Sequence, residues 1–409
     1  MGVIGRTSTY AGALALVAAA AAFTAAQAGC GASVGVRPRA AATNLKSVEL
    51  PAVRVRRPLP PLRYRLPRRA VRVSSSAGLV SALADRRREA IVLAPGIYDN
   101  PRPFADRDGD QIYASRLGRS ILRAGIALGA NSGPPGALVR GVRFSVTDPR
   151  KTLHGSIVHV WGSAAHASVL DTWLDGRAVV DAGLVVRQPE GFTARRIVAT
   201  GFRSYGVVVD PNDMHYQARR PFTLQDLSVS RVARRVPGSS DGTAEACLWL
   251  GSRGIVRRVS VRRCGVTGVW TGTATRHSRI EDAVVDRTPV GIYIEHFTTG
   301  TIFRRLRIGP SVSRGVNAEW ANPALGGRPA SVDSLIEDGY LHTTHVGIYL
   351  DQGTTRTVIR RCTFVGQAWA AIGDYRGIDN RYVENDFKGI ARTAVPVSYE
   401  HDTGGRGKR

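Results

Sequence analysis

Three carboxylates, Glu295, Glu319 and Asp351, each stand directly after a recurring apolar segment, Gly291-Ile-Tyr-Ile, Gly315-Val-Asn-Ala and Gly347-Ile-Tyr-Leu. Asp210 and Asp374 read as further members of the same set. If the segments stack, neighbouring carboxylates lie about 5 Å apart and next-neighbours about 10 Å. Those separations bracket the roughly 5.5 Å of retaining and 6.5 to 9.5 Å of inverting glycoside hydrolysis. Crowding also raises carboxylate pKa values, which favours a protonated acid beside an ionised base. The same oxygens of Glu295, Glu319 and Asp351 suit Ca2+. Trp249, Trp270, Tyr293 and Tyr349 occupy the position two before, where flat rings can carry sugar faces. Trp320, His296, His345 and His215 fall on or beside the same rim, the histidines ranking below the acids as bases.

The elements that hold these residues are repeats. Gly-apolar-x-apolar recurs as Gly183-Leu-Val-Val, Gly206-Val-Val-Val, Cys247-Leu-Trp-Leu, Gly268-Val-Trp-Thr, the three segments above, and Ala370-Ala-Ile-Gly. A second block follows each, from TARRIV and TLQDLSV to VIRRCTF and RYVENDF. Spacings near 21 to 24 residues suit one turn of a three-stranded coil. Side chains alternate along a strand. If the residue after each Gly points inward, the outward column is Val208, Trp249, Trp270, Tyr293, Asn317, Tyr349 and Ile372. The carboxylate column beside it is Asp210, Gly251, Gly272, Glu295, Glu319, Asp351 and Asp374. Insertions at 211–221, 231–243 and 320–332 are expected to wall this face.

The second block carries its own check on register. Its turn position reads Asp171, Arg196, Asp226, Arg258, Asp282, Arg305, Asp338, Arg361 and Asn385, with Arg195, Gln225, Arg257, Glu281, Arg304, Glu337, Arg360 and Glu384 just before. Arg and acid alternate coil by coil, so each Arg is expected to face acids above and below, while a slip of one coil would oppose like charges.

A short amphipathic helix, with Leu79, Val80, Leu83 and Ala84 on one face after Ser74-Ser75-Ser76, precedes the strand and turn AIVLAPGIYDN. Together with the repeats, this resembles the right-handed parallel β-helices of the pectin-lyase-like superfamily over residues 74–398. The resemblance implies an all-β, three-sheet solenoid with an N-terminal capping helix. It implies no single activity, because that architecture carries lyases, hydrolases, epimerases and adhesins. No Asn-Thr-Asp, Gly-His-Gly or Arg-Ile-Lys motif of polygalacturonases is present, nor the pectate-lyase Trp-Ile-Asp-His segment.

The ends bound the compartment. Residues 1–30 read as a signal peptide with a cleavage pattern at Ala26-Gln27-Ala28, and Cys30 resembles a lipobox cysteine. Residues 31–72 form a Pro/Arg-rich linker holding eleven basic residues and one acid, the solenoid covers 73–398, and 399–409 is a basic tail. The net charge of +25 would suit a polyanion. Export argues against nucleic acid, and a basic linker beside a lipidated Cys30 would hold the chain at an anionic envelope surface. Cys362 reads as a buried thiol in a core stack, and Cys247 and Cys264 as a candidate pair.

The expectation is an exported or envelope-attached monomer acting on polysaccharide as a hydrolase or lyase, with a neutral glycan or a Ca2+-bridged uronate as partner. The alternative is a non-catalytic envelope protein that binds polysaccharide along the same groove.

Overall fold

The computed structural model describes residues 64–85, 87, 89–106, 109–129, 136–162, 165–209, 219–232, 246–295, 297–318 and 331–399. The expected leader, Cys30 and most of the linker therefore lie outside the described residues, as do Asp210, His215, His296, Glu319 and Trp320.

Among the described residues, twenty-eight strands hydrogen-bond in one continuous parallel network, wound as a right-handed parallel β-helix. Each full coil supplies three strands. Sheet 1 stacks, among others, Ser156–Val160, Ala246–Leu250, Thr267–Thr271, Val290–Ile294 and Ala370–Asp374. Sheet 2 stacks Gln111–Ala114, Arg279–Asp286 in its first half, Leu335–Glu337 and Val358–Arg360. Sheet 3 follows sheet 2 after a single-residue bend and includes Ser120–Leu122, Arg143–Ser145 and Thr363–Val365.

The alternation reading places the core correctly. Val207, Leu248, Val269, Ile292, Val316 and Ile348 pair in register and are fully buried. The preceding glycines are required by space: a Cβ at Gly268 would lie 2.6 Å from both the Gly291 carbonyl oxygen and the Val285 side chain. Cys247 takes this glycine position in its coil and meets Cys264 in a disulfide, with Cα atoms 5.7 Å apart. Cys362 is buried and unpaired, its thiol pushed up to about 11 by burial.

Helix α1, Ser76–Ala84, covers the first coil. Ser75 is its N-cap, the hydroxyl accepting from the Gly78 N–H. Its buried face is Leu79, Ala82 and Leu83; Val80 and Ala84 turn to solvent, one position off the predicted stripe.

The bend between sheets 2 and 3 carries the alternating charges. Asp171, Arg196, Asp226, Arg258, Asp282, Arg305, Asp338 and Arg361 all adopt left-handed φ values of 51 to 59°. Each Arg reaches back to the acid of the preceding coil rather than equally up and down. Arg258 meets Asp226 at 2.6 Å, Arg305 meets Asp282 at 2.6 Å and Arg361 meets Asp338 at 2.7 Å. Asp171, fully buried, is held by Arg196 and, at 2.9 Å, by Arg140. In the adjacent column Glu337 receives Arg304, Arg360 and Arg361. Burial would raise its pKa, but hydrogen bonds from Arg360, Arg304 and Arg361 outweigh that and hold it down to about 2.

The last coil corrects the sequence register by one residue. Val383 pairs with Arg360, so Glu384, at φ 55°, occupies the bend instead of Asn385. Asn385 lies one position further on. Its Oδ1 accepts from the Cys362 N–H and its Nδ2 donates to the Ile359 carbonyl, which closes the coil without charge.

Candidate functional site

The outer face of sheet 1 displays one continuous column in register: His159, Val185, Val208, Trp249, Trp270, Tyr293, Asn317, Tyr349 and Gly373. This is the predicted column with one correction. Ile372 pairs with Ile348 and is buried in the core, because Ala371 rather than Ala370 occupies the glycine position. Asp374 shifts with it into the column of Leu350. Its carboxylate accepts from the Gly377 N–H and the Asn380 amide, and takes a short hydrogen bond from the Tyr382 hydroxyl, so it braces the C-terminal coils.

Trp249 and Trp270 were expected as open platforms, and the structure overturns that. The two indoles stack 4.5 Å apart and 12° from parallel, with Tyr205 covering the far side of Trp249 at 5.1 Å. Only 8% of Trp249 and 7% of Trp270 is exposed. Rings stacked along the solenoid axis use their faces on each other, so they present edges to a ligand. Tyr293 meets Trp270 edge-on and remains half-buried.

Glu295 is also drawn into this ladder: its Oε2 accepts from the Trp270 indole N–H at 3.1 Å, and the residue is buried. Asp351 is half-buried and its Oδ1 accepts the Gln352 N–H at 2.8 Å. The two stand two coils apart, about 10 Å by strand spacing. Glu319, on the coil between them, lies outside the described residues. Among the described residues no three His, Cys, Asp or Glu side chains come close enough to hold a metal ion.

The open part of the face lies further along. Arg314, His345, Val346, Tyr349 and Trp369 line a cleft of about 350 Å³. Trp369 stacks on His345 at 5.4 Å and leans on Tyr349 at 5.9 Å. The Arg314 guanidinium sits 5.7 Å over the Tyr349 ring and donates to Asn317 Oδ1 at 3.2 Å. Gly373 makes the room: a Cβ there would lie 2.9 Å from both the Trp369 and Tyr349 rings. Burial, and then Arg314, lower the His345 pKa, so its imidazole is neutral at neutral pH and can accept a proton.

Of the predicted residues, the structure therefore brings Tyr349 and His345 together, and ties Glu295 to Trp270 elsewhere on the face. Arg314 and Trp369 escape a reading of stacked positions because they sit at strand entries: Arg314 pairs with Val290 and Val346 just before the glycine, and Trp369 belongs to the preceding bend.

The chain matches no protein-family model and no curated protein sequence. Among solved structures it is similar to PfbA, a surface adhesin of Streptococcus pneumoniae, with a TM-score of 0.53 and 8% identity, covering 83% of this chain and 97% of that one. The catalytic domain of a GH87 α-1,3-glucanase aligns with a TM-score of 0.51 at 12% identity over 83% of this chain and 70% of that one. A mannuronic acid specific family 6 polysaccharide lyase from the human gut microbiota aligns with a TM-score of 0.51 at 10% identity, over 81% and 88%. What is shared is the fold. The activities of these proteins differ, so the fold alone selects none of them.

Proposed function

We propose that the protein is an exported, polysaccharide-engaging β-helix whose working site is the Arg314–His345–Tyr349–Trp369 cleft, and that it cleaves a uronate-containing polymer by β-elimination. The observation that carries this reading is a guanidinium, a neutral imidazole and two half-buried aromatic rings converging on one cleft of sheet 1. Arg314 would neutralise the sugar carboxylate, which acidifies the neighbouring C–H. His345 would take that proton, its electron pair forming the C=C bond as the β C–O bond to the next sugar breaks. The departing oxygen takes a proton from the Tyr349 hydroxyl or solvent. Trp369 and Tyr349 hold the ring. Arg314 thereby fills the role expected of a Ca2+ bridge between an acidic groove and a uronate.

Hydrolysis by the Glu295, Glu319 and Asp351 set is less well supported, because Glu295 is hydrogen-bonded into the tryptophan ladder. A second reading, glycan binding without turnover, is favoured by that same closed ladder, which occupies three coils of the face with structure rather than chemistry.

The test incubates the full chain with a panel of polyuronates and neutral glucans, scoring unsaturated ends and reducing ends separately. Unsaturated ends from a polyuronate are expected, persisting with chelator. His345→Ala and Arg314→Ala should each lower kcat about 10²-fold or more, the usual range for a lost proton-transfer or charge-stabilising group. Trp369→Ala should act mainly on KM. Binding of a polymer with no new ends of either kind sinks the catalytic reading and leaves the second; reducing ends alone return the assignment to the carboxylates.

A further inference from the structure

The bend from sheet 3 back to sheet 1 holds a second charged column, and here the charges do not alternate. Pairing of Ser230 with Arg262, Val232 with Cys264 and Arg262 with Asp286 sets Arg231, Arg263 and Arg287 one above the next on three consecutive coils. All three are exposed and left-handed, with φ of 56, 58 and 55°. Arg262 is exposed beside them, and Arg203, from the coil before, is exposed and donates to the Ala178 carbonyl at 3.4 Å. Arg231, Arg262 and Arg263 have no ion pair or hydrogen bond from their side chains among the described residues; Asp286 is the one carboxylate in register and lies 3.7 Å from Arg287.

Nothing in the fold asks for arginine at these positions. Gly201, in register with Arg231, fills the same bend at φ 74° without strain. Like charges stacked at the coil spacing of roughly 4.8 Å repel, and arginine in the left-handed region is strained. At the other bend each left-handed Arg gains an acid for this strain; here, among the described residues, Arg287 alone does, with Asp286 at 3.7 Å. Strain and repulsion kept at Arg231 and Arg263 without a partner among the described residues point to an external one.

We propose that this column is a docking stripe for an acidic polysaccharide. Its width is a single residue, and it runs along the solenoid axis on the coils of Trp249, Trp270 and Tyr293. That shape suits a linear chain carrying one anion per sugar better than a flat anionic surface. On the next coil the bend position is Pro310, where the column ends; Arg314 stands four residues on, level with Val290 at the entry to sheet 1, and lines the cleft that a chain leaving the stripe would meet next. The stripe takes the same class of polymer as the proposed reaction and in that sense rests on it; binding is measured apart from cleavage so that the two can fail separately.

The experiment uses the full chain and the triple variant Arg231→Asn, Arg263→Asn, Arg287→Asn, asparagine being at ease in the left-handed conformation. Affinity for polygalacturonate should fall at least tenfold at low ionic strength, with the gap closing as salt screens the charges. The melting temperature should hold or rise, and turnover at saturating polymer should be unchanged. Because residues 37–72 are themselves basic, a local readout accompanies the affinity: phenylglyoxal labelling of Arg263, followed by mass spectrometry, should be suppressed by polygalacturonate and not by dextran. Unchanged affinity in the variant, or Arg263 that stays reactive under bound polymer, overturns the stripe. Protection by phosphatidylglycerol vesicles without protection by polymer also overturns it, in favour of a membrane surface.

Discussion

The two charged bends of this solenoid have the same backbone conformation and opposite electrostatics. Between sheets 2 and 3, Arg196, Arg258, Arg305 and Arg361 each pair with an acid one coil back, and the hydrogen bonds they donate to those acids hold the guanidiniums protonated more firmly than usual. Between sheets 3 and 1, Arg231 and Arg263 face other arginines and water. Identical residues in identical φ regions therefore support the fold at one bend and load it at the other. An arginine count or a net charge conceals this, because it adds the two together.

The largest way to sharpen the contrast is at Glu337, where three arginines converge on a fully buried carboxylate. Glu337→Ala should destabilise the chain by about 3 kcal/mol, the lower end for breaking a buried pair, since the half-exposed arginines left behind can turn to solvent. Denaturant unfolding measures it, and a change within error would mean that the ladder adds no stability. The same residue sets an acid limit. Its pKa is about 2 in the folded chain against 4.5 for an ordinary glutamate, so the unfolded chain binds the extra proton. The stabilisation is fully present above about pH 4.5 and is lost as pH falls from there toward 2. Glu337→Gln should flatten that stretch of the stability–pH curve, which otherwise reflects other carboxylates.

The smallest effect is the most direct comparison. Arg258→Gly and Arg263→Gly relieve the same left-handed strain at two bends of one coil. Arg258→Gly also removes the partner of Asp226 and should be destabilising by a few tenths to 1 kcal/mol. Arg263→Gly removes only repulsion and strain and should be stabilising by about 0.5 kcal/mol. Equal signs in a thermal melt would erase the distinction between the bends.

Much of this architecture is legible in the sequence. Strand period, the inward glycines and the alternation from Asp171 to Arg361 are local and repeat, so each coil checks the next. Register slips only at the end, at Ala370 and Asn385, where alanine replaces the glycine and an asparagine follows directly on the acid, Glu384, that takes the bend. Trp249 and Trp270 misled for a different reason. Alternation says which side of a sheet a ring leaves, while its exposure depends on the ring angle and on the neighbour one coil away. The cleft was half visible: Tyr349 and His345 lie in repeat positions or next to them, whereas Arg314 and Trp369 enter from bends whose course depends on packing, notably on the space left by Gly373.

The strict alternation at the bend between sheets 2 and 3 has one more implication. The backbone repeats every coil, but the charge repeats every second coil, so the molecule has a doubled period and its coils carry a parity. Removing or duplicating one coil would bring Arg against Arg or acid against acid at the splice, while removing or duplicating two would pass unnoticed by the ladder. If such a chain lengthens or shortens by internal duplication, its natural quantum is a pair of coils, and odd steps must be accompanied by a change of sign in every coil on one side of the join.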